Sequence, residues 1–427
     1  MKIDYGKNGL EIEIDPLWKV DILRPLEQKA IIDPVEKIRS SIRNPIGLLP
    51  LRELLKQKDT LNQICIVVSD ATRPVPTHII LQGLIKELNE YGIKDQQIII
   101  LIATGLHRPS REEEIQRIIG NDLKNRIKVI NHKANNKNEL TFLGDSSKEI
   151  PIYINTQYYQ SDFKILTGYV EPHFFFGFSG GRKSLIPGIA GKDSILGNHS
   201  AKMIDSPYSR FGIFHENLMH QNALEFVKKV GVDFCVNVCI NENHKIVKVT
   251  SGDIFSAHQS LVSYQKQVIF RTISKPYDIV ICGNGGYPLD LNLYQAVKSM
   301  ALGELAVKKG GTIISVNECE DGIGVGQDDF KSLLFSGMTP EKIHRKILNG
   351  EILLPDQWEI QILVRILMKA TVYIVSSLKE DEIGNIGLKH VKTVEIAIKK
   401  AFETHGKEAR ILILPNGPQV IPILEKY

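Results

Sequence analysis

No uninterrupted apolar run in this chain approaches the ~18 residues of a membrane-spanning helix, so a membrane-embedded protein is not expected. Long blocks of one charge are missing too. The 53 basic and 49 acidic residues are interspersed and give a formal net charge of +4, too small and too diffuse to select nucleic acid or an anionic membrane as the main partner. The opening residues, MKIDYGKNGLEIEIDP, lack the apolar stretch of a secretory signal, which makes a cytoplasmic location the expectation. Cysteine is scarce, and its five copies (Cys65, Cys235, Cys239, Cys282, Cys319) lie mostly in apolar strand-like runs, as small buried thiols do. Cys235 and Cys239 share one face of an expected strand, but four residues at ~3.3 Å each put them ~13 Å apart. Two thiolates on one zinc must lie within ~4.6 Å of each other, so a regular strand cannot chelate with this pair. Internal repeats, low-complexity tracts and heptad runs are also missing.

What is present points to an α/β protein. Of the 427 residues, 43% are hydrophobic and 24% charged, the balance of a soluble globular chain with room for a large core. Short β-branched runs recur with amphipathic helical stretches between most of them: ICIVVSD, IIILIATG, RIKVINH, FKILTGYV, YDIVICGNG, GTIISVN, TVYIVSS and ARILILPNG. Near-continuous apolar strands of this kind fit mainly parallel sheets covered on both faces. DFCVNVCINENHKIVKV reads instead as a hairpin around Asn-Glu-Asn. FRTISKP before a fresh strand marks a boundary, giving an N-terminal α/β domain over 1–270 and a C-terminal one over 271–427, with the last fifteen or so residues free to pack on either.

In open α/β sheets ligands bind beyond the carboxyl ends of the strands. There the first domain places Asp70-Ala71-Thr72-Arg73, then Thr104-Gly105-Leu106-His107-Arg108, then the segment TGYVEPHFFFGFSGGRKSLIPG with Glu171, His173, Lys183 and Ser184. The second domain repeats the arrangement after YDIVICGNGG, with Tyr294, Gln295 and Lys298 on one helix; Gln295 and Lys298, three apart, share a face. Polar strand-end loops in both domains predict an active-site cleft between them. Singly, each cluster has a plainer explanation: Asp70 as a helix cap, His107 or His173 as a packed ring. Several familiar templates fail. GFSGGRKS misses the Walker spacing because Arg182 separates Gly181 from Lys183, Pro288 replaces the third glycine of a dinucleotide fingerprint in GNGGYP, and His215 and His220 are five apart, not the four of a zinc helix.

In order and over essentially the full length, SDATRP, TGLHR, EPHFFFGFSGGRKSLIPG, GNHS, LDLNLYQAVKS and DQWEIQIL resemble the nickel-dependent lactate racemase family. The resemblance implies an isomerase: a racemase or epimerase of a 2-hydroxy carboxylic acid, lactate or a relative. Its implied cofactor is a nickel pincer nucleotide, pyridinium-3,5-bisthiocarboxylic acid mononucleotide, joined through a thioamide to Lys183, with His199 as the protein ligand of nickel. It makes His107 and His173 the catalytic pair and places Asp70, Ala71, Thr72, Arg73 and Ser184 around the cofactor. It assigns Arg73, Tyr294, Gln295, Lys298 and Trp358 to the substrate, and it implies cofactor-synthesis and insertion enzymes as partners of a monomer or homodimer.

The chemistry asks for such groups independently. The C2 hydrogen of a 2-hydroxy carboxylate is very weakly acidic, so removing it as hydride, passing through a flat 2-keto acid and returning it to either face is the easier route. Each enantiomer presents its hydroxyl differently, so one base for each follows, and histidine titrates in the right range. Arg73 and Lys298 would hold the carboxylate and Gln295 would orient the oxygen. The glycines near residue 180 would let the backbone approach a phosphate, with Arg182 and Ser184 adding contacts. Glu171 either orients His173 or is structural. His132 is expected to be structural, and His78, His220, His244 and His258 carry no signal. An NAD-dependent 2-hydroxy acid dehydrogenase and a non-catalytic nucleotide- or metabolite-binding protein are the alternatives.

Overall fold

The computed structural model describes residues 1–354 and 356–425. The chain divides into two compact units, one of Glu27–Gln267 and one of Met1–Leu26 with the chain from Val268 onward.

The first unit is built on a six-stranded sheet in the order Ile246–Gly252, Phe234–Ile240, Phe163–Tyr169, Ile64–Ser69, Ile98–Ala103, Lys128–Asn131. All neighbours are parallel except the first pair, the hairpin expected from its alternating residues. Ile64, Ile66 and Val68 on one face and Cys65 and Val67 on the other are completely buried, which is why apolar, mostly β-branched residues run unbroken here. Helix Pro34–Arg43 begins with the Asp33 side chain accepting from the Glu36 amide and with proline at its first turn. It is tied to helix Thr77–Glu90 through Glu87, a fully buried carboxylate that accepts from Arg39 Nε at 2.7 Å and Arg43 Nη2 at 2.6 Å. Burial alone would raise the Glu87 carboxyl, but Tyr91, Arg43 and Arg39 hold it below the usual range.

The second unit has its own six-stranded sheet, ordered Lys389–Val391, Thr371–Val375, Val307–Val316, Tyr277–Gly283, Arg410–Leu414, Lys19–Ile22, all parallel. Here the expected division is corrected at one end: residues 1–26 belong with the C-terminal unit rather than with the N-terminal domain. The reason is pairing. Lys19–Ile22 extends the second sheet beside Arg410–Leu414, and the buried Asp290 carboxylate accepts from the Gly6 amide at 2.7 Å. The end of the chain packs in the same unit, where Ile421–Leu424 pairs with Phe270–Ile273. All five cysteines are free and buried, and burial pushes the Cys65, Cys235 and Cys282 thiols up to about 12. Among the described residues no helix is long and apolar enough to cross a membrane.

Candidate active site

Strands Ile64–Ser69, Ile98–Ala103 and Phe163–Tyr169 run parallel, so the loops that follow them emerge at one sheet edge. That is where Asp70, His107 and His173 lie. Asp70 is buried, and its Oδ2 lies 2.7 Å from His107 Nδ1. Its Oδ1 accepts from the Thr72 amide at 3.2 Å and the Thr72 hydroxyl at 2.7 Å. Burial would raise this carboxyl, but His107, Thr72 and Arg73 lower it. An ionised carboxylate at Nδ1 fixes the proton there and leaves Nε2 of His107 with its lone pair. Ala71 packs on the hydrophobic core beneath the loop.

His173 is held differently. It is buried in the short hairpin Pro172–His173 with Gly177–Phe178, and its Nδ1 accepts from the backbone amides of Phe176 at 3.2 Å and Phe175 at 3.5 Å. With Nδ1 the acceptor, the neutral ring carries its proton on Nε2. The hairpin needs glycine at 177, where φ is +79° and a Cβ would meet the Ile213 carbonyl oxygen at 2.0 Å. The rings of Phe174 and Phe175 lie 5.0 and 4.5 Å from the imidazole.

Lys183 and His199 meet over the same aromatic pair. Lys183 Nζ is 4.7 Å from the centre of the Phe176 ring and 5.9 Å from that of Phe175, and the His199 ring lies 6.2 and 5.5 Å from the same two. His199 closes the helix Lys192–Asn198, so its Nδ1 donates to the Ile195 carbonyl at 3.1 Å, leaving Nε2 as the lone-pair nitrogen. Burial, with the Lys183 charge nearby, depresses the imidazole to about 3, so it is neutral at physiological pH. A neutral imidazole of fixed tautomer is what a soft divalent metal requires of a histidine. Among the described residues no three His, Cys, Asp or Glu side chains gather as a metal site. Lys183 and His199 are the residues here that could hold a metal-bearing ligand.

Other expected groups have partners inside the chain. Ser184 Oγ donates to the Thr167 carbonyl at 3.1 Å, and the Gly181 amide donates to Asn237 Oδ1 at 3.1 Å. Close packing accounts for the glycines as well: a Cβ on Gly180 would meet the Tyr169 carbonyl oxygen at 2.7 Å and one on Gly188 the Ser184 carbonyl oxygen at 2.3 Å. Arg73 forms a loose ion pair with Glu171 at 3.7 Å, a contact the sequence did not suggest. His132 is buried between the Ala190 carbonyl at 2.9 Å and Asn155 at 3.2 Å, and burial lowers it to about 4, the signature of a structural ring.

In the second unit, helix Leu293–Ala306 starts where the Asn292 side chain accepts from the Gln295 amide. Lys298 Nζ donates to Gln295 Oε1, so the two expected substrate groups touch. Tyr294 packs edge-on against Phe330 at 5.4 Å and has Trp358 as a side-chain neighbour. Trp358 stands at the start of helix Gln357–Lys369, which is clamped to the Tyr294 helix by the paired contacts of Arg365 with Glu304 at 3.1 and 2.7 Å.

Known proteins match nearly the full length of the chain. The model of the lactate racemase N-terminal domain matches residues 5–212, and that of the lactate racemase C-terminal domain matches residues 272–422. A lactate racemase from Thermoanaerobacterium thermosaccharolyticum is 36% identical over 426 residues, covering 99% of this chain and 98% of that protein. Another, from Lactiplantibacillus plantarum, is 37% identical over 389 residues, 90% of each. The structure of the lactate racemase apoprotein from the first organism superposes with a TM-score of 0.91 at 35% identity, covering 99% of both chains. A Thermotoga maritima protein at 20% identity, TM-score 0.68, covers 92% of this chain and 99% of its own, and shares the fold.

Proposed function

From the premise that the chain belongs to the lactate racemase family and is an isomerase, we propose that it interconverts the enantiomers of a short 2-hydroxy carboxylic acid of the lactate class. Lys183 would anchor a nickel pincer nucleotide as a thioamide, and His199 would offer Nε2 to its metal. When bound, that group supplies an acceptor for the hydrogen on C2 of the substrate. The observation that carries this reading is the convergence of Lys183 and a neutral His199 on Phe175 and Phe176, beside the ring of His173.

The remaining work falls to side chains. His107, with its Nδ1 proton directed at Asp70, presents a lone pair at Nε2 and takes the hydroxyl proton of one enantiomer. The resulting imidazolium is stabilised by the Asp70 carboxylate. His173 would serve the other enantiomer from Nε2, giving up a proton there as imidazolium in one direction and taking one as the neutral ring in the other; both forms carry hydrogen on Nδ1, so the contact from the Phe176 amide opens during turnover. Phenylalanines 174 to 176 exclude water from the reacting atoms. Arg73 would leave its loose contact with Glu171 for the substrate carboxylate. Gln295, Lys298, Tyr294 and Trp358 are the second unit's contribution to substrate recognition by the same resemblance.

The test is loss of optical purity. Protein co-produced with the cofactor-making enzymes is given single-enantiomer lactate, glycerate or malate, and the product is resolved by chiral chromatography. Racemisation of one of these without added nicotinamide cofactor is the expected result. Turnover that depends on NAD, with accumulation of keto acid, would establish a dehydrogenase instead.

A further inference from the structure

Arg182 is the largest fully buried side chain in the described structure, and no carboxylate pairs with it there. Its guanidinium lies 5.0 Å from the Phe176 ring and 5.2 Å from the Phe214 ring. The acceptors it reaches are the carbonyls of Ser179, Gly180 and Phe176 at 3.2–3.5 Å, and its Nε has no partner. Removing a cation from water without an anion is costly, and neutral carbonyls return only part of that cost.

Its neighbours deepen the imbalance. His258 Nε2 lies 2.8 Å from the Ser179 carbonyl, which calls for an N–H, and 3.1 Å from Arg182 Nη1, which carries only hydrogens. His220 stacks on Phe214 at 3.8 Å and its buried Nδ1 is unpartnered. Every charged group that acts on His220 is basic: Arg182, His258 and His215. A cavity of about 320 Å³ opens onto this cluster, lined among others by Arg182, Phe214, His215, His220, His258 and Gln259. What the cluster lacks is an oxygen that accepts hydrogen bonds and carries negative charge.

We propose that this cavity is a second binding site, for a small oxyanion of the phosphate or carboxylate class. It is distinct from the strand-edge site, and its occupancy does not depend on the catalytic reading. An anion oxygen would accept from the guanidinium and from a ring nitrogen at once, relieving the opposed donors. It would also tie down the segment 176–182: Arg182 Nη2 donates to the Phe176 carbonyl, and the Phe176 amide donates to His173 Nδ1.

Inorganic phosphate is the probe. Thermal unfolding of the cofactor-loaded full chain is followed from zero to about 20 mM phosphate at constant ionic strength. The wild type is expected to gain about 2 °C or more, saturably. Phosphate also stabilises proteins unspecifically, so the Gln259→Glu variant, which places a carboxylate in the cavity wall, supplies the reading. It is expected to fold and to lose the saturable rise, while Arg73→Ala, at the strand edge, keeps it. No saturable rise in the wild type, a rise retained in Gln259→Glu, or a rise lost in Arg73→Ala would each overturn the proposal.

Discussion

Substituting Asp70 by Asn tests the link between loop geometry and proton transfer. The Thr72 amide and hydroxyl both donate to Asp70 Oδ1, so the oxygen of an Asn side chain would stay there and its NH₂ would face His107. An amide N–H pointing at Nδ1 forces the proton of the neutral imidazole onto Nε2. The lone pair that takes the substrate proton is thereby removed, whereas Asp70→Ala leaves the ring free to adopt either tautomer. General base catalysis contributes roughly 10²–10⁴-fold. With 57% of the His107 side chain exposed, solvent softens the effect, and the lower end, about 10²-fold in kcat/KM, is expected for Asn. Ala should fall between Asn and the wild type. Because enantiomers have equal free energy, both directions must slow by the same factor. Initial racemisation rates from each pure enantiomer, on protein of matched cofactor content, measure this. Asn within threefold of the wild type, or Ala slower than Asn, would refute the tautomer argument.

Glu87→Ala removes the buried partner of Arg39 and Arg43 but leaves them Glu36 and Glu90, so it should cost about 2 kcal/mol, read as a Tm lower by roughly 4–8 °C. The Glu87 carboxyl is lowered in the fold, so its contribution is present above the unfolded-state pKa and disappears as pH falls through the folded one. Buried His132, His220 and His258 are depressed to about 4, 2 and 3. They bind protons in the unfolded chain first, so stability is full above pH ~6.5 and declines below it. Urea unfolding at pH 8 and pH 5 should differ by about 2 kcal/mol for His132 alone, and His132→Phe should flatten that difference. Gly177→Ala places a methyl group against the Ile213 carbonyl at positive φ, an expected loss of about 3 kcal/mol visible as a lower Tm and reduced near-ultraviolet dichroism from the phenylalanine hairpin.

The apolar strands were legible because burial on both faces demands unbroken apolar residues, as in Ile64–Val68 and Ile411–Leu414. Lys19–Ile22 was not, since as an edge strand it is only partly covered and its Lys and Asp break the pattern. Without it, nothing in the sequence says that the first residues belong with the last. At the site, strand-end position was enough to group Asp70, His107 and His173. The orientation of each imidazole was hidden, because it depends on which backbone groups face Nδ1. Arg182 is expected near a phosphate because it adjoins Lys183 in sequence; that its side chain turns to Phe214 and His258, residues whose proximity only the fold creates, was not legible. His220 and His258 showed no spacing signal for the same reason.

The central claim is that Lys183 becomes the covalent anchor of the cofactor. Peptide mass analysis of active protein, digested after co-production with the cofactor-making enzymes, examines that bond directly. The peptide spanning Lys183 is predicted to carry a sulfur-containing nucleotide mass, absent along with racemisation in Lys183→Ala. Fully active protein whose Lys183 peptide has its unmodified mass would contradict it.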